Sequence, residues 1–148
     1  MGKIAGIQVR GESAFTYDTA SVMLQNIGVQ RPICLLNCAS SDKEDFATLG
    51  KHILVLDGLI YNPEDFLPRY KGHTDSELIL ISIEKIGLQA TLGKINGDFA
   101  LALIDQHSGS LTLARDRFGI RPLYYSSKGL NLGSVSYTHL TLPTKRIV

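Results

Sequence analysis

At 148 residues the chain has the length of one ordinary domain, enough to bury roughly two-thirds of its unfolded surface around a single core. Its 44% hydrophobic and 20% charged residues are those of a globular protein and exclude a disordered, collagen-like or coiled-coil chain. A net charge of +1, with Lys and Arg spread along the sequence, gives no basic stripe for nucleic acid or an anionic membrane, and no apolar run approaches the roughly 20 residues of a membrane span.

The opening MGKIAGIQVRG carries no signal-peptide core, so a cytoplasmic protein is expected, and Gly6 stands where a myristoylation motif requires Ser or Thr. Lys3 to Val9 reads as a short strand anchored by Ile4 and Ile7, and Thr19 to Asn26 as a helix stopped by Gly28. Ile33 to Cys38 and His52 to Asp57 read as buried strands on either side of the polar segment Ser40 to Asp45. Along one straight strand Cys34 and Cys38 would be about 13 Å apart, too far for a disulfide, and they are read as reduced core residues. Two cysteines and scattered histidines do not make a metal-ligand set, so no metal is expected here.

Asn62-Pro63-Glu64-Asp65 reads as a helical turn with Asn62 as N-cap and Pro63 at the first helical position, where the missing N–H costs nothing. Thr74-Asp75-Ser76-Glu77 is a capping box opening a helix that runs through Leu78 and Ile83 to Gly87, apolar on more than one face. From Asp98 the pattern changes to strands. Phe99 to Ile104 and Ser110 to Arg115 flank a turn at Gln106 to Gly109, and Leu123-Tyr124-Tyr125 faces Leu130-Asn131-Leu132 across Ser127-Lys128-Gly129. Hairpins set apart from helices point to an α+β layered fold with mainly antiparallel sheets rather than a doubly wound one.

Three stretches, LDGLIYN (Leu56 to Asn62), HTDSELILISIEKIG (His73 to Gly87) and NGDFALALIDQHSGSLTLARDRFGIRPLYYS (Asn96 to Ser126), together resemble the glutaminase half of asparagine synthetases, a class II glutamine amidotransferase domain. The resemblance is good from about Leu54 to Ser134 and weak before it, apart from KIAGI. It implies an αββα four-layer sandwich of two mainly antiparallel sheets, Ntn-hydrolase-like. It also implies hydrolysis of glutamine by an N-terminal cysteine whose own α-amine takes the thiol proton. No cofactor is implied in this domain. ATP and Mg are implied for a second, synthetase domain that amidates aspartate, and none of that domain's sequence is recognisable in these residues.

Gly2 occupies the position of the family's nucleophilic cysteine, so no catalytic residue is expected, and Cys34 and Cys38 cannot join thiol and free α-amine on one residue. Asp57-Gly58-Leu59 stands in place of the family's Asn-Gly-Glu. The asparagine amide would donate to the oxyanion, a contact worth about 10²–10³ in rate. Asp57 offers a carboxylate instead, Leu59 removes one that would hold the substrate's ammonium group, and Gly58 keeps the room for close backbone approach. Asp75 matches the family aspartate that binds the α-ammonium group, and it equally suits a helix's first turn as a complement to the macrodipole. Asp57, Gly58 and Asp75 are thus the weak substrate-binding candidates. The arginine that would pair the substrate carboxylate has no match, Arg31-Pro32 being nearest and out of register. Asp116-Arg117-Phe118-Gly119 matches well and reads as architecture, with Gly119 at a positive-φ turn and Arg115, Asp116, Arg117 and Arg121 in charge pairs near the partner domain. Tyr124 and Tyr125 read as core and edge residues.

After Ser134 the family pattern stops. Val135 to Thr144 reads like an in-frame translation of a transposase sequencing adaptor, giving a domain at residues 1–134, truncated at its C-terminal end, and a foreign tail at 135–148. Three functions remain open: a non-hydrolysing domain of an amide-forming synthetase, as in the β-lactam synthetases and lasso-peptide cyclases that also lack the cysteine; a working glutamine-hydrolysing asparagine synthetase; or a scaffold or binding module. The partner implied is the ATP-using synthetase domain, with glutamine or another amino acid as ligand and a homodimer left open.

Overall fold

The computed structural model describes residues 4–9, 33–35, 38–40, 45–66, 72–128 and 131–136, with side chains at 45–66 and 72–125. In chain order the elements are β1 (Ile4–Val9), β2 (Ile33–Leu35), β3 (Cys38–Ser40), β4 (Phe46–Leu49), β5 (His52–Ile60), a 3₁₀ turn (Pro63–Asp65), α1 (Asp75–Ile86), α2 (Leu88–Lys94), β6 (Gly97–Asp105), β7 (Ser110–Arg115), β8 (Leu123–Lys128) and β9 (Asn131–Ser136). Two sheets result, ordered β2-β3-β1-β9-β8 and β4-β5-β6-β7. All their described ladders are antiparallel, as expected for an α+β chain.

The four-stranded sheet follows from its two long central strands, which pair without a bulge from His52 opposite Asp105 to Ile60 opposite Gly97. Ile53, Leu54, Val55, Leu56 and Asp57 are all buried, so β5 is covered on both faces rather than on one. Leu54, Leu56 and Ile60 form a core with Ile79, Leu80 and Ile83 of α1 and with Phe99, Leu101 and Leu103 of β6. Each such buried side chain contributes about 1.5–3 kcal/mol.

Helix α1 begins at the expected capping box: Thr74 Oγ1 accepts from the Glu77 N–H at 3.3 Å, and Glu77 Oε2 accepts from the Thr74 N–H at 3.1 Å. Consecutive Leu78, Ile79 and Leu80 are buried, which confirms burial on more than one face, and Gly87 ends the helix.

Several expectations are corrected. Ile33 to Cys38 is not one strand but a hairpin, with Leu35 opposite Cys38 and Cys34 opposite Ala39, so the 13 Å separation does not apply. The Leu36-Asn37 pair between them offers asparagine, a turn former that the apolar run concealed. Asn62 is the N-cap and Pro63 the first residue of the 3₁₀ turn, as expected, but the Asn62 side chain makes no capping bond; its amide donates to Asp65 Oδ2 at 2.8 Å and Lys94 O at 2.9 Å, and its oxygen accepts from the Asn96 N–H at 2.9 Å. It therefore ties the 3₁₀ turn to the end of α2. β8 and β9 extend to Lys128 and Ser136, two residues beyond Ser134, and Tyr124 and Tyr125 are both exposed. The helix expected at Thr19 to Asn26 lies outside the described residues, as do Gly2 and Arg31-Pro32. No helix among the described residues is long and apolar enough to cross a membrane.

Candidate functional site

The strand that carries Asp57 and Gly58 sends successive side chains to opposite faces. Leu54 and Leu56 point to the helix side, so Asp57 points away from it with Val55. Asp57 is fully buried, and its Oδ1 lies 3.5 Å from Nη1 of Arg121, whose side chain is 13% exposed. Across the sheet Asp57 faces Ala100, and Ala100 faces Arg115.

Arg121 is delivered by the loop after β7, and Asp116 shapes that loop. Its Oδ1 accepts from the N–H groups of Phe118 (3.0 Å) and Ile120 (2.9 Å), and its Oδ2 from that of Arg121 (3.0 Å). Burial pushes the Asp116 carboxyl up, but the N–H groups of Arg121, Ile120, Phe118 and Gly119 outweigh it and hold the group below the usual carboxylate range. Gly119 has φ +65°, and a Cβ there would sit 3.2 Å from the Arg115 guanidinium. The loop is architecture, as its motif suggests, but its charges are distributed otherwise than expected. Asp116 binds backbone, Arg121 pairs with Asp57, and Arg115 and Arg117 have no carboxylate partner among the described residues.

Gly58 and Asp75 come together on a cleft of about 480 Å³, shared with Asp45, Leu59, Thr74 and Ser76. Asp57 does not line it. At Gly58 a Cβ would lie 2.0 Å from the Asp98 carbonyl oxygen, so only glycine lets β5 and β6 approach this closely. Asp75 Oδ2 accepts from the Ile60 N–H at 2.9 Å, tying the start of α1 to the end of β5. The three candidates are therefore divided, two on the cleft and one on the opposite face of the strand.

Sequence reasoning missed the Asp57–Arg121 pair and a second contact beside it, the Tyr61 hydroxyl donating to Asp98. That bond chiefly, with partial desolvation and the Asp98 charge, pushes the Tyr61 hydroxyl above its ordinary range against the lowering pull of Arg121. A carboxylate in place of an amide was the available signal, since a buried negative charge calls for a cation. No group of three or more His, Cys, Asp or Glu among the described residues could hold a metal ion.

The model of the glutamine amidotransferase domain family matches residues 28–145. This chain belongs to that family. The match begins after Gly2 and runs through part of the segment expected to be foreign. Among curated relatives, a probable glutamine-hydrolyzing asparagine synthetase of Acanthamoeba polyphaga mimivirus is 25% identical over 105 residues, 66% of this chain and 19% of that protein. The glutamine-hydrolyzing asparagine synthetase of Mesocricetus auratus is 31% identical over 110 residues, covering 64% and 19%. The human one is 35% identical over 75 residues, covering 48% and 13%. This glutamine amidotransferase domain thus spans at most about a fifth of the length of these relatives, which leaves room for a separate synthetase domain in them.

Proposed function

We propose that this chain is the amidotransferase domain of an asparagine synthetase-family, ATP-dependent amide-forming protein and does not itself hydrolyse glutamine. The observation that carries the reading is the buried Asp57 carboxylate paired with Arg121. Where the family motif has an amide that donates to an oxyanion, this chain has a buried carboxyl group 3.5 Å from an arginine, with no amide N–H to donate. Gly2 at the nucleophile's position and Leu59 at the ammonium-binding carboxylate's position support the same conclusion. Gly58 and Asp75 remain as a residual subsite for an amino acid's ammonium group.

The architecture that best suits this role is the four-layer αββα sandwich. Its support is the two-sided burial of β5, with α1 on one face, and the approach of β1 to β5 within 8 Å between Cα atoms. The synthetase portion, with its ATP and Mg, would supply the amide-forming chemistry, fed by free ammonia or an internal amine, in the cytoplasm. Residues 135–148 are read as foreign sequence; the backbone pairing of Val135 with Ala5 and Ser136 with Ile4 is of a kind that any residue other than proline can make. Independent reads of the locus that reproduce those codons without an adaptor match would contradict this.

The test of function mixes the full-length protein with glutamine and follows glutamate, then repeats amide formation with ammonium as nitrogen source. The expected result is amide formation with ammonium and no glutamate above the enzyme-free rate. Glutamine-dependent turnover would favour the hydrolysing synthetase.

A further inference from the structure

The cleft of about 480 Å³ that brings Gly58 and Asp75 together is walled by side chains of two kinds. Two are carboxylates from separate elements, Asp75 in the first turn of α1 and Asp45 immediately before β4, both half-buried. The other kind is apolar: Leu59 stands on the wall 58% exposed, outside the core cluster to which Leu56 beside it belongs. Both acidic residues are tied to the same strand. The Asp45 carbonyl accepts from the Leu56 N–H at 2.8 Å, and Asp75 Oδ2 accepts from the Ile60 N–H at 2.9 Å. Leu56 and Ile60 lie two residues to either side of Gly58, so the two ties are about 13 Å apart along β5 with the glycine midway between them. A carboxylate that accepts one N–H keeps lone pairs for further donors, and an ammonium group brings three.

We infer that the cleft binds a ligand carrying two ammonium groups on an aliphatic stem, one group against Asp75, the other against Asp45 and the stem along Gly58 and Leu59. Charge complementarity chooses the two heads. Carboxylates at both ends of one cleft attract a dication, whereas a zwitterion anchored on Asp75 brings its own carboxylate toward Asp45 and is disfavoured. The exposed leucine chooses the stem, because methylene chains that end in an ammonium group lie along apolar surface while the head stays in polar surroundings. Free aliphatic diamines and lysine share this chemistry. The inference rests on the reading above that Gly58 and Asp75 form a residual ammonium subsite, and it names the class of ligand that this subsite takes.

The test titrates the full-length protein encoded at the locus by calorimetry with a series from diaminobutane to diaminooctane, each beside the monoamine of the same stem, and with lysine and glutamine. The expected result is a best diamine that binds at least about fivefold more tightly than its monoamine, by a margin that shrinks as salt is raised. Asp45→Asn should erase that margin and leave the monoamine unchanged. Asp75→Asn should weaken both, and its side-chain oxygen still accepts from the Ile60 N–H, so an unchanged far-UV spectrum separates lost binding from lost structure. Lysine binding with the same dependence on Asp45 assigns the two ammonium groups to an amino acid, and diamine binding without it assigns them to a free diamine. Equal affinity of diamine and monoamine at every length overturns the inference, as does a margin that survives Asp45→Asn. Glutamate release from glutamine is a separate readout: release together with Asp45-dependent diamine binding overturns the functional reading alone, and the lack of both overturns this inference alone.

Discussion

Two neighbouring regions of this domain bury a carboxyl group in very different ways, and one ion pair joins them. The loop from Asp116 to Arg121 keeps the motif, and its buried carboxylate organises three backbone N–H groups. At Asp57 to Leu59 the carboxyl group instead faces an arginine, beside a glycine whose absence of a Cβ lets β5 and β6 pair closely. The difference teaches what each motif residue is for. A position that closes the fold resists change because any substitute leaves a buried group unsatisfied or two backbones in collision. Asp57 shows how a buried charge is accommodated in such a sheet: it found a cation in Arg121.

That comparison can be broken at the pair itself, where the largest effect is expected. Arg121→Met leaves the fully buried Asp57 without that cation and should lower the unfolding free energy by about 3–5 kcal/mol in chemical denaturation. In the double variant Asp57→Asn/Arg121→Met most of that loss should return, giving a coupling of at least about 1 kcal/mol. Additive losses would show that the two residues act separately.

Asp116→Ala sharpens the other side, removing the acceptor of three N–H bonds at a cost of about 2–3 kcal/mol by the same assay. The pH dependence has a definite sign. The folded Asp116 holds its proton less tightly than the unfolded chain's carboxyl, whose ordinary value is about 3.9. Its contribution is therefore complete above that value and is lost as pH falls through the lower folded one. As pH falls below about 4 the wild type should lose stability more steeply than Asp116→Asn. The smallest effect serves as a ruler: Thr74→Ala, which removes an ordinary cap, should cost about 1 kcal/mol. A cap costing more than the Asp116 variant would mean that the loop contributes little.

Much of the fold was legible because local chemistry and long-range packing agreed. The capping box at Thr74, the apolar run of α1 and the alternation around the Gln106 to Gly109 turn each state their structure locally. What escaped lacked such a signal. β4 is four residues long with only Ala47 buried, and α2 contains Thr91 and Gly93, both poor helix formers, so neither has a strong period. The hairpin of β2 and β3 was hidden within one apolar run. Motif position alone singled out Gly58 and Asp75, which the structure brings to one cleft. The partner of Asp57 could not be found in that way, because Arg121 reaches it only after β5, β6, β7 and the Asp116 loop are assembled.

The central claim is that glutamine meets no competent nucleophile on this domain. A diazoketone analogue of glutamine alkylates such a nucleophile irreversibly, and the intact mass of the full-length protein after incubation reports the result directly. The account predicts an unchanged mass under conditions that fully label a hydrolysing asparagine synthetase. A stoichiometric adduct at the protein's N-terminal residue, protected by glutamine, would contradict it.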